Sequence, residues 1–265
     1  RRRDRGEGMS DELRERLRGM GLHALANDYD DILSMSIKKR WTLEHALHYI
    51  ANREEEEHAR RTIERRQRTS KLGRFKPVAD FDWKWPSRIN QPTVHDALDL
   101  GFMRENKNVV LIGGQGLGKT MLAKNITSNA VQAGHSALFI TAADLLLDLE
   151  GQESASALQR RLKHYARVAV LCIDEVGYLN YQQRSADLLF QLVSKRYEQR
   201  PLILTTNKSF SDWPSIFPGA ACATALVDRV VHHADVIHIE GKSYRLREST
   251  EATKRGGPRR ATAKK

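Results

Sequence analysis

Apolar residues return every three or four positions from Ser10 to about Ser70: Leu13, Leu17 and Met20, then Leu43, Leu47 and Ile50. That spacing marks one face of a helix. Ser10 and Thr42 stand where an N-cap side chain accepts one of the free backbone N–H groups of the first turn. Residues 9–70 are therefore predicted to form a small helical domain. Within it, residues 54–68 are almost wholly charged, which predicts an exposed helix that is acidic at its start and basic at its end. The pattern changes from Asn108 onward. Short apolar runs (Asn108–Ile112, Ala137–Thr141, Val168–Ile173, Leu202–Thr206 and Val236–Ile239) alternate with helical spacing. This series predicts an α/β domain over residues 93–248, a parallel sheet sandwiched by helices. Near-continuous apolar runs such as Val168–Ile173 fit strands buried on both faces. Residues 71–92 read as a linker, with proline and with Phe81, Trp83 and Trp85 at strand-like alternation. The expectation is that these aromatics pack on the following domain; stacking on nucleic-acid bases is the alternative. Residues 1–8 and 249–265 lack periodicity and are expected to be a disordered leader ahead of Met9 and a disordered basic tail.

Charge sharpens this division. The chain of 265 residues carries 44 Lys and Arg against 33 Asp and Glu, a formal net charge of +11. Residues 60–76 hold eight basic residues against one acidic, and residues 254–265 hold six against none. Residues 77–253 are balanced, at nineteen of each sign. Positive charge outside a neutral core is the distribution of a protein whose appendage meets nucleic acid. The candidate phosphate contacts are Arg60, Arg61, Arg65, Arg66, Arg68, Lys71, Arg74 and Lys76; a solvated helix face is the plainer alternative. No window has the roughly 18 consecutive apolar residues of a membrane helix, so a soluble cytosolic protein, associated with the nucleoid, is expected. Two cysteines, Cys172 and Cys222, are too few for a disulfide framework and read as reduced structural thiols. His232-His233 reads as a helix-end pair rather than a metal site.

The run Gly113-Gly114-Gln115-Gly116-Leu117-Gly118-Lys119-Thr120 follows a predicted strand and opens a predicted helix. It matches G-x-x-x-x-G-K-[ST], the P-loop pattern. Its glycines let backbone N–H groups turn inward around phosphate oxygens, and the helix N-terminus adds a favourable dipole. Lys119 is placed to reach the β- and γ-phosphates of ATP, and the Thr120 hydroxyl to bind Mg²⁺. A dinucleotide fingerprint is excluded, because Lys119 stands where its third glycine belongs. Val168–Ile173 then ends in Asp174-Glu175, an apolar strand tipped by two acids. The first suits Mg²⁺. The second can polarise a water for attack on the γ-phosphate, which argues against a small-molecule kinase. Asn207 follows the strand Leu202–Thr206, where an amide can orient that water. Arg229 lies on a predicted helix and is a candidate arginine finger for a neighbouring subunit; a surface salt bridge with Asp228 or nearby acids is the plainer reading.

These elements, with Ile173-Asp174-Glu175-Val176-Gly177-Tyr178, Thr205-Thr206-Asn207, Asp228-Arg229 and Gly241-Lys242-Ser243-Tyr244-Arg245, resemble the IstB-type transposition helper ATPases. Similar elements occur in DnaC-type helicase loaders. The resemblance runs from about Met9 to Arg247 and includes Phe81-Asp82-Trp83. It implies an AAA+ P-loop ATPase, with little or no C-terminal lid because few residues follow Ile239. By position it makes Asp174 and Glu175 the Walker B pair, Asn207 the sensor-1 residue, Arg229 the finger and Arg245 a sensor-2 candidate. It further implies a homo-oligomer with ATP sites at subunit interfaces that assembles on duplex DNA with little sequence preference. That assembly would deliver DNA to, and stimulate, a partner transposase. The alternatives are a replicative helicase loader and a nucleotide-switched DNA-binding module that does not hydrolyse ATP.

Overall fold

A computed structural model of the chain describes residues 10–178 and 181–247. The leader and tail expected at residues 1–8 and 249–265 lie outside the described residues. The described residues divide into two compact units, one up to Arg65 and one from Arg66.

The first unit holds α1 (Asp11–Gly19), α2 (His23–Lys38) and most of α3 (Leu43–Thr69). Both expected caps form: Ser10 Oγ accepts from the Leu13 N–H at 3.3 Å, and Thr42 Oγ1 from the His45 N–H at 3.2 Å. The core is small, with Leu17, Ala24, Ala26 and Ile32 buried. Polar contacts supplement it: Glu54 accepts from the Leu25 N–H at 2.7 Å, and Arg53 pairs with Asp28 at 2.8 Å. Leu43 and Leu47, apolar at helical spacing, do not join that core; they are 78% and 58% exposed. Along the charged part of α3, Arg60 is clasped by Glu57 and Glu64 at 2.8 and 2.7 Å.

The second unit contains β1 (Arg88–Ile89), α4 (Gln91–Leu98), α5 (Gly101–Arg104), β2 (Asn108–Gly113), α6 (Lys119–Gln132), β3 (Ala137–Thr141) and α7 (Ala142–Glu150). It continues with α8 (Ala155–Arg167), β4 (Val170–Val176), α9 (Gln183–Arg196), β5 (Leu202–Thr206), α10 (Trp213–Ile216), α11 (Ala220–Val231) and β6 (Ala234–Glu240). Among the described residues six strands form one sheet in the order β1-β6-β2-β5-β4-β3. All neighbours are parallel except the β1–β6 pair at the edge. Successive strand residues face opposite sides. Val109 and Leu111 therefore enter the layer built on α4 and α6, while Val110 and Ile112 enter the layer beneath α7, α8, α9 and α11. A stretch of strand covered twice favours apolar residues at successive positions, which is why residues 109–112 of β2, 170–173 of β4 and 202–204 of β5 stand out in the sequence. β1 lies inside the predicted linker and is too short to give an apolar run. Phe81, Trp83 and Trp85 do not form a strand; Val78–Asp80 is a 3-10 turn. The aromatics pack instead, with Phe81 edge-on to Trp83 at 4.7 Å and Trp83 stacked on His95 at 4.9 Å.

One charged residue organises the strand entries. Arg196, at the end of α9, is 1% exposed. Its guanidinium donates to the carbonyls of Tyr165, Ala166, Val168, Ala169 and Pro201 at 2.6–3.3 Å. These carbonyls end α8, lead into β4 and precede β5, so a single side chain fixes where both strands begin. Burial pushes the guanidinium pKa down to about 9; the carbonyl dipoles are what hold the charge. Arg196→Met strands those acceptors in an apolar interior, at about 1–3 kcal/mol for each one left unsatisfied. The expected result is a loss of about 3 kcal/mol or more, read as a large drop in melting temperature. An unchanged melting temperature would show that the carbonyls find other partners.

Both cysteines are free thiols, Cys172 buried and Cys222 half-buried. Among the described residues no helix is long and apolar enough to cross a membrane.

Candidate functional site

The parallel register brings the C-terminal ends of β2, β4 and β5 together: Ile112 pairs with Thr206, and Val176 with Thr206 on the other side. β2 ends at Gly113, and the loop that follows turns into α6 at Lys119. Gly113 lies so close to β6 that a Cβ would strike the carbonyl of Ile239. Gly118 has φ +89°, a left-handed conformation that costs glycine little and other residues more, and a Cβ there would sit 2.6 Å from the Phe81 ring. The packed linker thus presses directly on the loop.

Lys119 is almost wholly buried, and its ammonium donates to the carbonyls of Gly113 and Gly114 at 2.8 and 2.7 Å. Burial lowers its pKa, and the neighbouring Arg245 adds to that; Asp174 and Glu175 oppose the shift. The strand-end carbonyls therefore hold a cation at the mouth of the loop, where an anionic phosphate would meet it.

Asp174 is 3% exposed and its Oδ1 accepts from the hydroxyls of Thr205 at 2.5 Å and Thr120 at 3.1 Å. Thr205 Oγ1 also accepts the Glu175 N–H at 2.9 Å. A carboxylate and a hydroxyl from two elements form the hard oxygen set that suits Mg²⁺. Thr120 and Asp174 would hold the ion, which would neutralise phosphate charge. Just beyond Asp174 the β4–β5 pairing shifts register, and Glu175 adopts φ +64°. This irregularity breaks the alternation of the strand, leaving Asp174 buried while Glu175 is exposed and lines the hollow. Asn207 follows β5 directly, and its Oδ1 is buried with no hydrogen-bond partner. An unsatisfied buried acceptor at a strand tip is rare and fits a site awaiting a water or ligand.

The hollow over the loop measures about 470 Å³ and is lined by residues 115–121, Glu175, Tyr178, Tyr244 and Arg245. Its other wall is the linker: Lys76, Asp80, Phe81, Asp82, Trp85 and Pro86. Although few residues follow β6, they return to the site, since the Tyr244 N–H bonds to the Gly116 carbonyl at 2.9 Å. Arg247 closes the same side, resting 4.6 Å over the Trp85 ring and 3.3 Å from Asp82. Arg245 lines the hollow from this returning segment. Lys76, grouped in the sequence with the basic stretch, lines this hollow.

Arg229 does not. Its guanidinium lies 4.4 Å over the Phe190 ring and against the Ser194 hydroxyl, on α9 of its own chain. Among the described residues Arg229 forms no ion pair with Asp228 or another acid. The roles of Thr205 and of the linker wall were not legible from the sequence. Thr205 sits inside an apolar strand, and the wall is assembled only by the fold. The strand register, once known, places Thr205 beside Asp174.

A glycine loop on a helix N-terminus, a Thr–Asp oxygen pair at the ends of adjacent parallel strands and this sheet order define a P-loop protein of the AAA+ class. The fold is shared with solved structures: DnaI, at TM-score 0.53 and 19% identity, covering 65% of this chain and 91% of that one, and domain III of the Thermotoga maritima replication initiation protein DnaA, at TM-score 0.52 and 23% identity, covering 66% and 72%. More specifically, the IstB-like ATP binding protein family matches residues 15–252, and the chain belongs to that family. Among its relatives, an insertion sequence IS232 ATP-binding protein of Bacillus thuringiensis subsp. berliner is 35% identical over 237 residues, 89% of this chain and 95% of the relative. An insertion sequence IS21 ATP-binding protein of Pseudomonas aeruginosa is 34% identical over 225 residues, 85% of this chain and 80% of the relative.

Proposed function

We propose that this chain is a DNA-stimulated ATPase that oligomerises on duplex DNA, delivers target DNA to a partner transposase and stimulates it. The observation that carries the reading is a convergence: Lys119, Thr120 and Glu175 line one hollow, Asp174 is hydrogen-bonded to Thr120 beside it, and Asn207, with its unpartnered Oδ1, follows the neighbouring strand. In this reading the loop amides and Lys119 bind the phosphates, Thr120 and Asp174 hold Mg²⁺, Glu175 takes a proton from the attacking water and Asn207 positions it. Arg245 reads the γ-phosphate side of the hollow. Transposition is supported by the relatives, which are ATP-binding proteins of insertion sequences. The test is to seek a transposase reading frame beside the gene of this chain, add the purified chain, ATP and Mg²⁺ to that transposase, and count strand-transfer products. An increase that needs ATP is the expected result; no increase contradicts the partnership.

DNA affinity in this reading comes from basic side chains on phosphates, which carry no sequence information. Arg60 is already clasped by Glu57 and Glu64 and is left unchanged in the test. Replacing Arg61, Arg65, Arg66 and Arg68 with Gln is expected to weaken binding to every duplex tested. The slope of log K against log salt should flatten by about 0.9 for each phosphate that is no longer neutralised. An unaltered salt dependence would remove this stretch from the DNA footprint.

A further inference from the structure

A second cluster of chemically capable groups lies outside the ATP hollow. Glu198 sits in the turn between α9 and β5 with φ +56°, a left-handed conformation uncommon for a residue with a side chain. Its carboxylate faces the two histidines that end α11: Oε1 lies 3.5 Å from His233 Nε2 and 3.9 Å from His232 Nδ1. The three donor atoms all fall within 4.8 Å of one another. The imidazoles are tilted by 67° with centroids 4.3 Å apart, so the rings are not stacked. The Tyr197 hydroxyl lies 2.8 Å from His232 Nδ1.

We propose that Glu198, His232 and His233 form a binding site for a transition-metal ion, with Zn²⁺ the best match. Two imidazoles and one carboxylate are a borderline-soft set that suits zinc and disfavours Mg²⁺, whose preferred ligands are all oxygen. Zinc bonds of about 2.0–2.2 Å in a tetrahedron put neighbouring donors roughly 3.3–3.6 Å apart. The Glu198–His233 separation meets that span, the Glu198–His232 separation needs a contraction of a few tenths of an ångström, and the two imidazole donors, within 4.8 Å of each other, have to close by up to about 1.2 Å. Because the groups are exposed, side-chain rotation supplies it. A metal on His232 Nδ1 takes the place of the Tyr197 hydrogen bond, and the fourth position is open to water. Asp228 and Arg229 lie on the turn of α11 before the histidines, and their opposite charges largely offset each other. Glu198 is 34 positions from His232 in the sequence, so His232-His233 alone gives no sign of a third ligand. An occupied site joins the α9–β5 turn to the end of α11, one turn beyond Arg229, and pins the helix that carries it.

The test uses the tag-free full chain, stripped with a chelator, and its readout is metal, independent of ATP turnover or transposition. Titration with Zn²⁺ at micromolar free concentration is expected to give one ion per chain. Excess Mg²⁺ should not displace it, and Co²⁺ should give the intense visible bands of tetrahedral coordination. Stoichiometric binding should vanish in the double variant His232→Ala, His233→Ala and weaken by more than about tenfold in Glu198→Gln. His48→Ala, in the other unit, should bind as the parent does. Circular dichroism and ATP binding confirm that each variant is folded. Wild-type protein that holds less than one zinc per chain would overturn the proposal. So would a folded double variant that binds zinc as the parent does, since the ion would then sit elsewhere.

Discussion

Glu175→Gln is expected to bind ATP as the parent does and to hydrolyse it about 10²–10⁴ times more slowly, the usual worth of a positioned general base. The substitution keeps the shape of the side chain and removes its ability to take a proton. It leaves Asp174, Thr120 and Thr205 untouched, because the register shift at Ile173/Val176 sends Glu175 into the hollow while Asp174 stays buried with its two threonines. Binding and turnover should therefore separate cleanly. Fluorescent-ATP titration and single-turnover phosphate release read the two quantities. Normal hydrolysis by the folded variant would take the base role away from Glu175.

The largest expected effect belongs to Arg229→Ala. An arginine finger is worth about 10³–10⁵ in turnover, yet Arg229 packs on Phe190 of its own chain and does not line the hollow. If it acts, it acts on the ATP of a neighbour. Turnover should collapse while ATP affinity per chain is kept. Mixing Arg229→Ala with Glu175→Gln should then restore part of the activity, because a site with an intact Glu175 can meet an intact Arg229 across a subunit boundary. Phosphate release from the mixture, compared with each variant alone, decides the matter. No recovery in mixed oligomers would place the lesion within one chain.

The sheet was legible because a stretch of strand covered on both faces is apolar at successive positions, and residues 109–112, 170–173 and 202–204 follow that rule. The phosphate loop was legible because close approach to phosphate demands its glycines at fixed spacing. Other features follow no local rule. Arg196 reads as an ordinary charged helix end; only the packing of α8, β4 and β5 around it shows a buried residue holding five carbonyls. Leu43 and Leu47 have helical spacing, but the fold of their unit leaves them exposed. Lys76 belongs to a basic run by composition, whereas the path of the linker carries it to the hollow. Asn207 was placed at a strand tip by sequence, but its unpartnered amide oxygen is visible only in three dimensions.

In the proposed function this hollow hydrolyses ATP under the control of DNA. The most direct measurement is the rate of phosphate release by the tag-free chain with ATP and Mg²⁺, in the presence and absence of duplex DNA of unrelated sequences. Turnover should rise with every duplex and fall about 10²–10⁴-fold in Glu175→Gln. Phosphate release no faster than in the Glu175→Gln variant, with or without DNA, would contradict it and leave a nucleotide-binding module that does not hydrolyse its ligand.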